Sequence, residues 1–220
     1  MFNAIAPRYE LVNSLCSGGR DAAWRRRTIR LAGVTRDDDV LDIATGTGDL
    51  ARAFAGSNPR SIVGTDFAHE MLSRARRDRD GGVDRWCEAD ALRLPFRDAS
   101  FSITSCAFGV RNFRDLSAGL TEMHRVLRPG GRAVILEFTR PKNAIARRCY
   151  ELYSNRLMPT LAGWVSGDTS GAYRYLPQSV VSFLDATQMC ERLRAVGFAD
   201  AVATPLTFGV VTVYVATKPA

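Results

Sequence analysis

Short apolar runs alternate with amphipathic stretches along most of the chain, and charged residues or glycines bound the apolar runs. Runs of this length and setting are typical of strands buried inside a sheet. The runs that predict strands lie at 40–44, 61–66, 84–88, 101–107, 132–138, 201–204 and 210–217. We therefore expect a sheet whose strands are supplied in turn by most of the chain.

The stretches between these runs carry apolar residues at helical spacing. Leu116, Leu120, Met123 and Leu127 follow that spacing, and Pro129 begins a turn that ends the helix. The predicted helices lie at 20–31, 50–55, 70–79, 116–127 and 184–196. Strands that alternate with helices predict a parallel sheet with right-handed crossovers.

One segment, 144–182, interrupts the alternation. It is rich in Tyr, Leu and Arg and contains Pro159 and Pro177, so it does not continue the strand–helix pattern. We expect a helical lid inserted into a single domain that spans 1–220. The length of 220 residues and the 46 % hydrophobic and 24 % charged content are ordinary for one globular domain.

The charge is the unusual part of the composition. The formal net charge is +7, which suits either a nucleic acid or anionic lipid. The arginines form short clusters inside predicted helices, at 25–27 and 74–79, rather than one basic block. This spacing favours solvated helix faces first and a membrane surface second, and it argues against nucleic acid. With no secretory pattern and no apolar run of spanning length, we expect a cytoplasmic protein, with the inner face of the membrane as an alternative site of contact.

The cysteines predict no metal centre. Five are scattered along the chain without a C-x-x-C pair, and neither histidine lies at ligand spacing from them. Reduced thiols with a structural role are the simplest interpretation.

A glycine turn follows the first predicted strand. Gly46-Thr47-Gly48 links that strand to a helix, and glycines there permit a tight turn and close approach of a ligand. Asp66 ends the second strand, 20 residues after Gly46. Ligands of open α/β sheets bind at the carboxyl ends of the strands, and a carboxylate there suits the hydroxyls of a ribose. These features predict an adenosine ligand without choosing which one.

Two classes of cofactor fit that prediction. Residues 46–51 satisfy G-x-G-x-x-A and would be scored as a nicotinamide dinucleotide fingerprint. However, Asp49 in the first turn of the helix would repel a pyrophosphate, and Asp42 adds negative charge nearby. An acidic lining suits the sulfonium and ammonium groups of S-adenosylmethionine (SAM). Asp90 and Ala91, at the end of the third strand, could bind the adenine edge.

Several strings resemble known methyltransferases. The sequences 40–49, 66–67, 71–72, 90–92 and 94–96 are similar to class I SAM-dependent methyltransferases. The strings 107–112, 125–131, 136–138 and 172–179 are similar to the quinone-biosynthesis C-methyltransferases, that is, demethylmenaquinone methyltransferase and its benzoquinol counterpart. Ala44 fits this subfamily, since generic methyltransferases usually carry Gly there. The resemblance extends from Phe2 to Lys218.

The resemblance implies a fold and a reaction. The fold is a Rossmann-like three-layer α/β sandwich, with a mostly parallel seven-stranded sheet, an antiparallel last strand and a helical lid. The reaction is C-methylation of a polyprenyl quinol, with SAM as donor, S-adenosylhomocysteine as product and no metal. Demethylmenaquinol is the favoured acceptor, the benzoquinol of ubiquinone biosynthesis is a second one, and a homodimer is left open. Another small apolar acceptor, and more distantly an NAD-dependent oxidoreductase or an RNA-binding protein, are the alternatives.

The resemblance also implies roles for individual residues. The cofactor residues would be Asp42, Gly46, Thr47, Gly48, Asp66, Phe67, Asp90, Ala91 and Ala107. Independently of the resemblance, Phe108 and the aromatic residues of the lid, Tyr150, Tyr153, Tyr173 and Tyr175, are expected to contact the quinol, because aromatic rings would form an apolar roof over a flat ring. The alternative for each tyrosine is half-buried packing. Ala107 stands where many members carry Ser, which predicts one hydrogen bond fewer to the cofactor.

The reaction requires an ionised quinol, because negative charge then reaches the ring carbon next to the oxygen. Arg111 and Asn112 follow the fourth strand, and we expect Arg111 to favour that ionised form and Asn112 to orient the substrate oxygen. The structural alternative is that Arg111 pairs with a carboxylate such as Asp115. His124 is a weak candidate base, expected on the solvent side of its helix.

Overall fold

The computed structural model describes residues 17–77, 81–152 and 183–220. Seven strands form one sheet in the described residues: β1 Asp39–Ile43, β2 Ser61–Asp66, β3 Arg85–Glu88, β4 Phe101–Ala107, β5 Leu127–Phe138, β6 Ala199–Leu206 and β7 Val211–Thr217. Their order is β3-β2-β1-β4-β5-β7-β6. β7 runs antiparallel to both β5 and β6, and the other pairings are parallel. The predicted fold class is confirmed.

Six helices flank the sheet in the described part of the chain: α1 Asp21–Ala32, α2 Asp49–Ala55, α3 His69–Arg77, α4 Leu116–Val126, α5 Ala144–Leu152 and α6 Ala186–Ala195. Alternate residues of β1 point to opposite faces of the sheet, as the strand period requires. Leu41 belongs to the core cluster shared with α4 and α6, and Val40 to the cluster shared with α1 and α2. The sheet is therefore the middle of three layers.

The predicted bounds agree with the structure within about two residues at most ends, with one larger difference at β5. This strand begins at Leu127, five residues before the predicted start at 132. Leu127 pairs with Phe101 of β4, and the register then shifts before Ile103 pairs with Arg132. The glycine-containing turn that ends α4 is thus absorbed into the strand as an irregularity.

The sheet has a switch point between β1 and β4. The chain passes from β1 to β2 on one side, whereas β4 lies on the other side of β1. Because the connections after β1 and β4 leave in opposite directions, a crevice forms at the carboxyl ends of these strands.

The predicted lid is described only at its start. Helix α5 occupies 144–152, while 153–182 lie outside the described residues, so the lid and the single-domain organisation stay predictions. Among the described residues, no helix combines the length and apolar character needed to cross a membrane.

Candidate active site

A cavity of about 250 Å³ opens at this switch point. Its described walls come from the ends of β1, β2, β3 and β4 and from the loops that follow them. They are formed by Ala44, Gly46, Asp66, Phe67, Met71, Ala89, Asp90, Ala91, Leu92, Ala107, Phe108, Gly109, Asn112, Phe113 and Arg114. The structure therefore brings together eight of the predicted site residues: Gly46, Asp66, Phe67, Asp90, Ala91, Ala107, Phe108 and Asn112.

The turn after β1 is held by backbone contacts. The Thr45 N–H donates to the Thr65 carbonyl at 2.8 Å, which keeps the turn against β2. Ala44 has a φ of 51°, so a residue with a side chain adopts the left-handed conformation here. Gly109 lies against it, since a Cβ on that glycine would be 2.8 Å from the Ala44 Cβ. The small residues on both sides let the loops after β1 and β4 approach each other.

Asp66 joins this turn to the cavity. Its two carboxylate oxygens accept hydrogen bonds from the N–H groups of Gly46 and Ala68, each at 2.8 Å. Burial raises the pKa of the Asp66 carboxyl, against the lowering effect of these hydrogen bonds. A carboxylate has about four acceptor positions, so these backbone contacts leave acceptor capacity for a hydroxyl group of a ligand. Asp66 is thus fixed in orientation and keeps acceptor capacity toward the cavity.

Asp42, unlike Asp66, does not reach the cavity. Its side chain is fully buried and accepts hydrogen bonds from the Ser105 and Thr45 hydroxyls, both at 2.6 Å. Burial raises its pKa to about 6. The structure thus places Asp42 outside the cavity wall, and its contact with the cofactor stays a prediction. Asp42 ties the turn after β1 to β4.

Gly48 and Thr47 lie behind the cavity wall rather than in it. Thr47 is 2 % exposed, and a Cβ on Gly48 would overlap the Trp86 indole. Position 48 therefore requires glycine for two reasons, the close packing against Trp86 and the φ of 90°. From the sequence, the glycines of this turn were expected to permit a tight turn and the close approach of a ligand.

Asp49 also has charged partners. The Asp49 carboxylate forms ion pairs with Arg25 and Arg52, each at 3.2 Å. Two neighbouring guanidinium groups offset the negative charge that was expected to repel a pyrophosphate. Asp49 therefore carries little of the discrimination between cofactor classes.

The loop after β3 forms the other wall. Asp90 accepts a hydrogen bond from the Leu92 N–H at 2.9 Å, which fixes a tight turn. Ala91 lies in this turn, and Phe67 stands at the mouth of the cavity with 62 % of its surface exposed. The turn and the aromatic ring together offer polar and flat surfaces to a planar group.

Arg111 forms a buried ion pair. Its Nη1 donates to Glu137 Oε1 and to the Phe108 carbonyl, both at 2.6 Å, and its Cζ lies 5.5 Å from the centroid of the Phe138 ring. The structural alternative for Arg111 thus holds with Glu137 as the partner. Asp115, the carboxylate that the sequence suggested, instead caps α4 by accepting from the Ala118 N–H.

The described aromatic residues form a wall beside the cavity. Phe108 packs against Phe138 with ring centroids 4.5 Å apart, and against Trp24 at 6.3 Å. Tyr150 is half-buried and packs against the same cluster. The other predicted lid tyrosines, Tyr153, Tyr173 and Tyr175, lie outside the described residues.

Sequence reasoning missed part of the wall and misplaced one histidine. The missed residues are Ala44, Met71, Ala89, Leu92, Gly109, Phe113 and Arg114. Most of them neighbour a predicted site residue or directly follow a strand end, which is the signal that could have found them. His124 is half-buried, packs edge-on against Phe198 at 4.9 Å, and does not face solvent as expected.

Comparison with known proteins agrees with this geometry. The sequence profile of the ubiE/COQ5 methyltransferase family matches residues 1–218. Demethylmenaquinone methyltransferase of Thermus thermophilus is 46 % identical over 222 residues, with 100 % of both chains covered. The ubiquinone/menaquinone biosynthesis C-methyltransferase UbiE of Geobacter sulfurreducens is 42 % identical over 229 residues, covering 99 % of this chain and 87 % of that protein.

Solved structures agree on the fold. A SAM-dependent methyltransferase of Thermotoga maritima superposes with a TM-score of 0.70 at 17 % identity, covering 99 % of this chain and 97 % of the other. The profile match over nearly the whole chain confirms what the motifs predicted: the chain belongs to the ubiE/COQ5 methyltransferase family.

Proposed function

We propose that this chain transfers a methyl group from SAM to a ring carbon of a polyprenyl quinol, with demethylmenaquinol as the favoured acceptor. The family match over residues 1–218 carries the proposal. The name of the Thermus thermophilus relative, which spans the whole chain at 46 % identity, supports the naphthoquinol acceptor. The name of the Geobacter sulfurreducens relative includes ubiquinone, which keeps the benzoquinol acceptor as a second candidate.

The cavity suits the adenosine part of SAM. The remaining acceptor capacity of Asp66 fits the ribose hydroxyls, and Asp90, Ala91 and Phe67 fit the adenine. The methionine end would lie toward Gly46 and the loop after β4. Bound there, SAM supplies an electrophilic methyl group on a positively charged sulfur.

The protein's part is to orient the quinol, exclude water and favour its ionised form. Asn112 lines the cavity, and we assign its side-chain amide to the quinol oxygen, as a hydrogen-bond donor that becomes stronger when the oxygen carries charge. Arg111 is held behind it by Glu137 and by the Phe108 carbonyl. We propose that Arg111 acts by fixing the 108–112 loop, because its charge is offset by Glu137. Orientation of this kind can lower a barrier by about 7–11 kcal/mol.

The apolar wall gives the ring a dry surface. Phe108 and Phe113 line the cavity, and the Phe108 ring is supported by Phe138 at 4.5 Å. These rings would exclude water from the face of a flat quinol that packs against them. The quinol oxygens would still reach Asn112. The lid tyrosines would add to this wall, as expected from the sequence.

A direct assay tests the proposal. The chain is incubated with methyl-labelled SAM and, in separate reactions, with the reduced demethyl-naphthoquinol and the matching demethyl-benzoquinol of equal tail length. We expect label on the ring carbon of the naphthoquinol, with a lower rate for the benzoquinol. SAM binding without transfer to either ring would overturn the proposed acceptor class.

A further inference from the structure

A second feature at the same edge of the sheet is a strained and exposed tip between β6 and β7. Thr207, Phe208 and Gly209 have φ values of 47°, 57° and 86°, so two residues with side chains adopt the left-handed conformation in succession. This arrangement costs free energy, and it places the Phe208 side chain in solvent with 88 % of its surface exposed. Nothing in the fold of the described residues requires a phenyl ring there.

The tip is held rigidly. The Trp24 indole N–H donates to the Thr207 hydroxyl at 2.8 Å, and the Thr139 hydroxyl donates to the Gly209 carbonyl at 2.9 Å. Trp24 also packs against Phe108, which lines the active-site cavity. Because β6 runs parallel to β5, its end lies at the same edge as the cavity. The tip therefore lies at the same edge of the sheet as the cavity and is connected to the cavity wall through Trp24.

Helix α5 adds a second row of exposed groups nearby. Ile145 is 77 % and Leu152 is 58 % exposed, and both lie on the face of α5 that carries the exposed Arg148, at spacings of three and four residues. Tyr150, on another face, anchors the helix to the core. The outward stripe of α5 is thus apolar and basic, as in helices that lie at a membrane interface.

Cations lie on one side of the tip. Arg140 and Lys142 are exposed and line one cavity together with Phe208 and Asn143, and Asn143 accepts a hydrogen bond from the Ile145 N–H at 2.9 Å. The acid in that cavity wall, Asp185, is occupied as the cap of α6. Apolar side chains that project beside exposed cations complement an anionic lipid surface, where the cations meet headgroups and the apolar groups enter the interface.

We propose that the tip 207–209 and the exposed face of α5 form a docking surface for an anionic phospholipid bilayer. This surface would place the cavity entrance against the membrane, where a quinol with a polyprenyl tail resides. That consequence for the substrate rests on the proposed function, whereas the docking itself rests only on the exposed groups. We call Phe208, Ile145, Leu152, Lys142 and Arg148 the docking patch.

Vesicle co-sedimentation of the full chain, without SAM or quinol, tests the docking. Vesicles of phosphatidylcholine with phosphatidylglycerol should bind the chain, and vesicles of phosphatidylcholine alone should bind it at least tenfold more weakly. The double variant Phe208→Ser/Ile145→Ser should lose at least tenfold in partitioning, and Lys142→Ala/Arg148→Ala about thirtyfold at low salt. Val202→Ser, which removes an exposed apolar group elsewhere on β6, and Arg76→Ala/Arg77→Ala, which removes the same charge from α3, should bind like the wild type.

Two results would overturn the docking surface. The first is a wild type that does not sediment with the anionic vesicles. The second is that the patch variants sediment with the vesicles like the wild type. This holds also if the variants change only the oligomeric state, as measured by light scattering. Turnover of a short-tailed quinol in solution separates the two proposals. Suppose that the patch variants lose vesicle binding, and that neither the wild type nor any variant methylates that quinol. The docking surface is then supported, and the proposed acceptor is wrong.

Discussion

Asp66 and Glu137 both lie at the carboxyl edge of the sheet, on β2 and β5, but their surroundings give them different uses. Asp66 is held by two backbone N–H groups and lines the cavity with acceptor positions to spare. Glu137 is fully buried and is committed to Arg111 at 2.6 Å. A strand end thus supplies a carboxylate in both places, and the partners decide whether it serves a ligand or the scaffold.

The same distinction separates the acids of the glycine turn. Asp42 is buried under the turn, and Asp49 is paired with two arginines. Of the acids first assigned to the cofactor, Asp66 and Asp90 alone line the cavity among the described residues. The selection of SAM would therefore depend on a few oriented acceptors rather than on a crowd of negative charge.

Removing the buried partner should have the largest effect. Glu137→Ala leaves the Arg111 guanidinium as an uncompensated buried charge, and we expect a loss of about 3–5 kcal/mol in the free energy of unfolding. The double variant Glu137→Leu/Arg111→Met should be much closer to the wild type in stability, although its turnover should fall. Urea unfolding followed by circular dichroism measures both variants. A single variant that loses less than 1 kcal/mol would show that the pair is not the buried structural contact described above.

Removing the open carboxylate should instead affect binding. Asp66→Ala loses charged hydrogen bonds to the ligand, so we expect the Kd for SAM, measured by calorimetry, to rise by roughly 10- to 100-fold. Asp84→Ala is the matched control, because Asp84 also accepts from a backbone N–H, that of Ile62, but at the start of these strands. Equal losses of SAM affinity in the two variants would contradict a direct contact between Asp66 and SAM.

The effect of Asp42 on the free energy of unfolding should depend on pH. Its pKa is raised from 3.8 to about 6 in the fold, so the folded state binds the proton more tightly than the unfolded chain. The cost of burying the carboxylate is therefore absent below about pH 4, grows through the window to about pH 6, and is fully present above it. Asp42→Asn removes this cost, and its stability relative to the wild type should improve by roughly 1–2 kcal/mol from pH 5 to pH 8. Urea unfolding at both pH values checks this, and a stability of Asp42→Asn relative to the wild type that falls from pH 5 to pH 8 contradicts it.

Asp49 should matter least. Because Arg25 and Arg52 offset its charge, Asp49→Asn should change the Kd for SAM by less than about threefold and stability by about 1 kcal/mol or less. The same calorimetric titration used for Asp66→Ala provides the comparison. A tenfold loss of SAM affinity in Asp49→Asn would restore the electrostatic role that the sequence suggested.

The sequence predicted the fold well because each buried strand is a local apolar run with charged or glycine ends. It also predicted that Gly46, Asp66 and Asp90 meet, because a parallel sheet must bring these strand ends to one edge, and all three line the cavity. It could not separate Asp42 from Asp66, because the Ser105 hydroxyl that helps to bury Asp42 lies 63 residues away in the chain. For the same reason it suggested Asp115 for Arg111, whereas the partner, Glu137, arrives from β5.

A crystal structure of the chain with S-adenosylhomocysteine tests the central claim most directly. The account predicts the ribose hydroxyls within hydrogen-bond distance of the Asp66 carboxylate, the adenine beside Asp90 and Ala91, and Asp42 still covered beneath the turn. A ligand bound away from β2, or one whose polar atoms contact Asp42 while Asp66 stays free of it, would contradict the account.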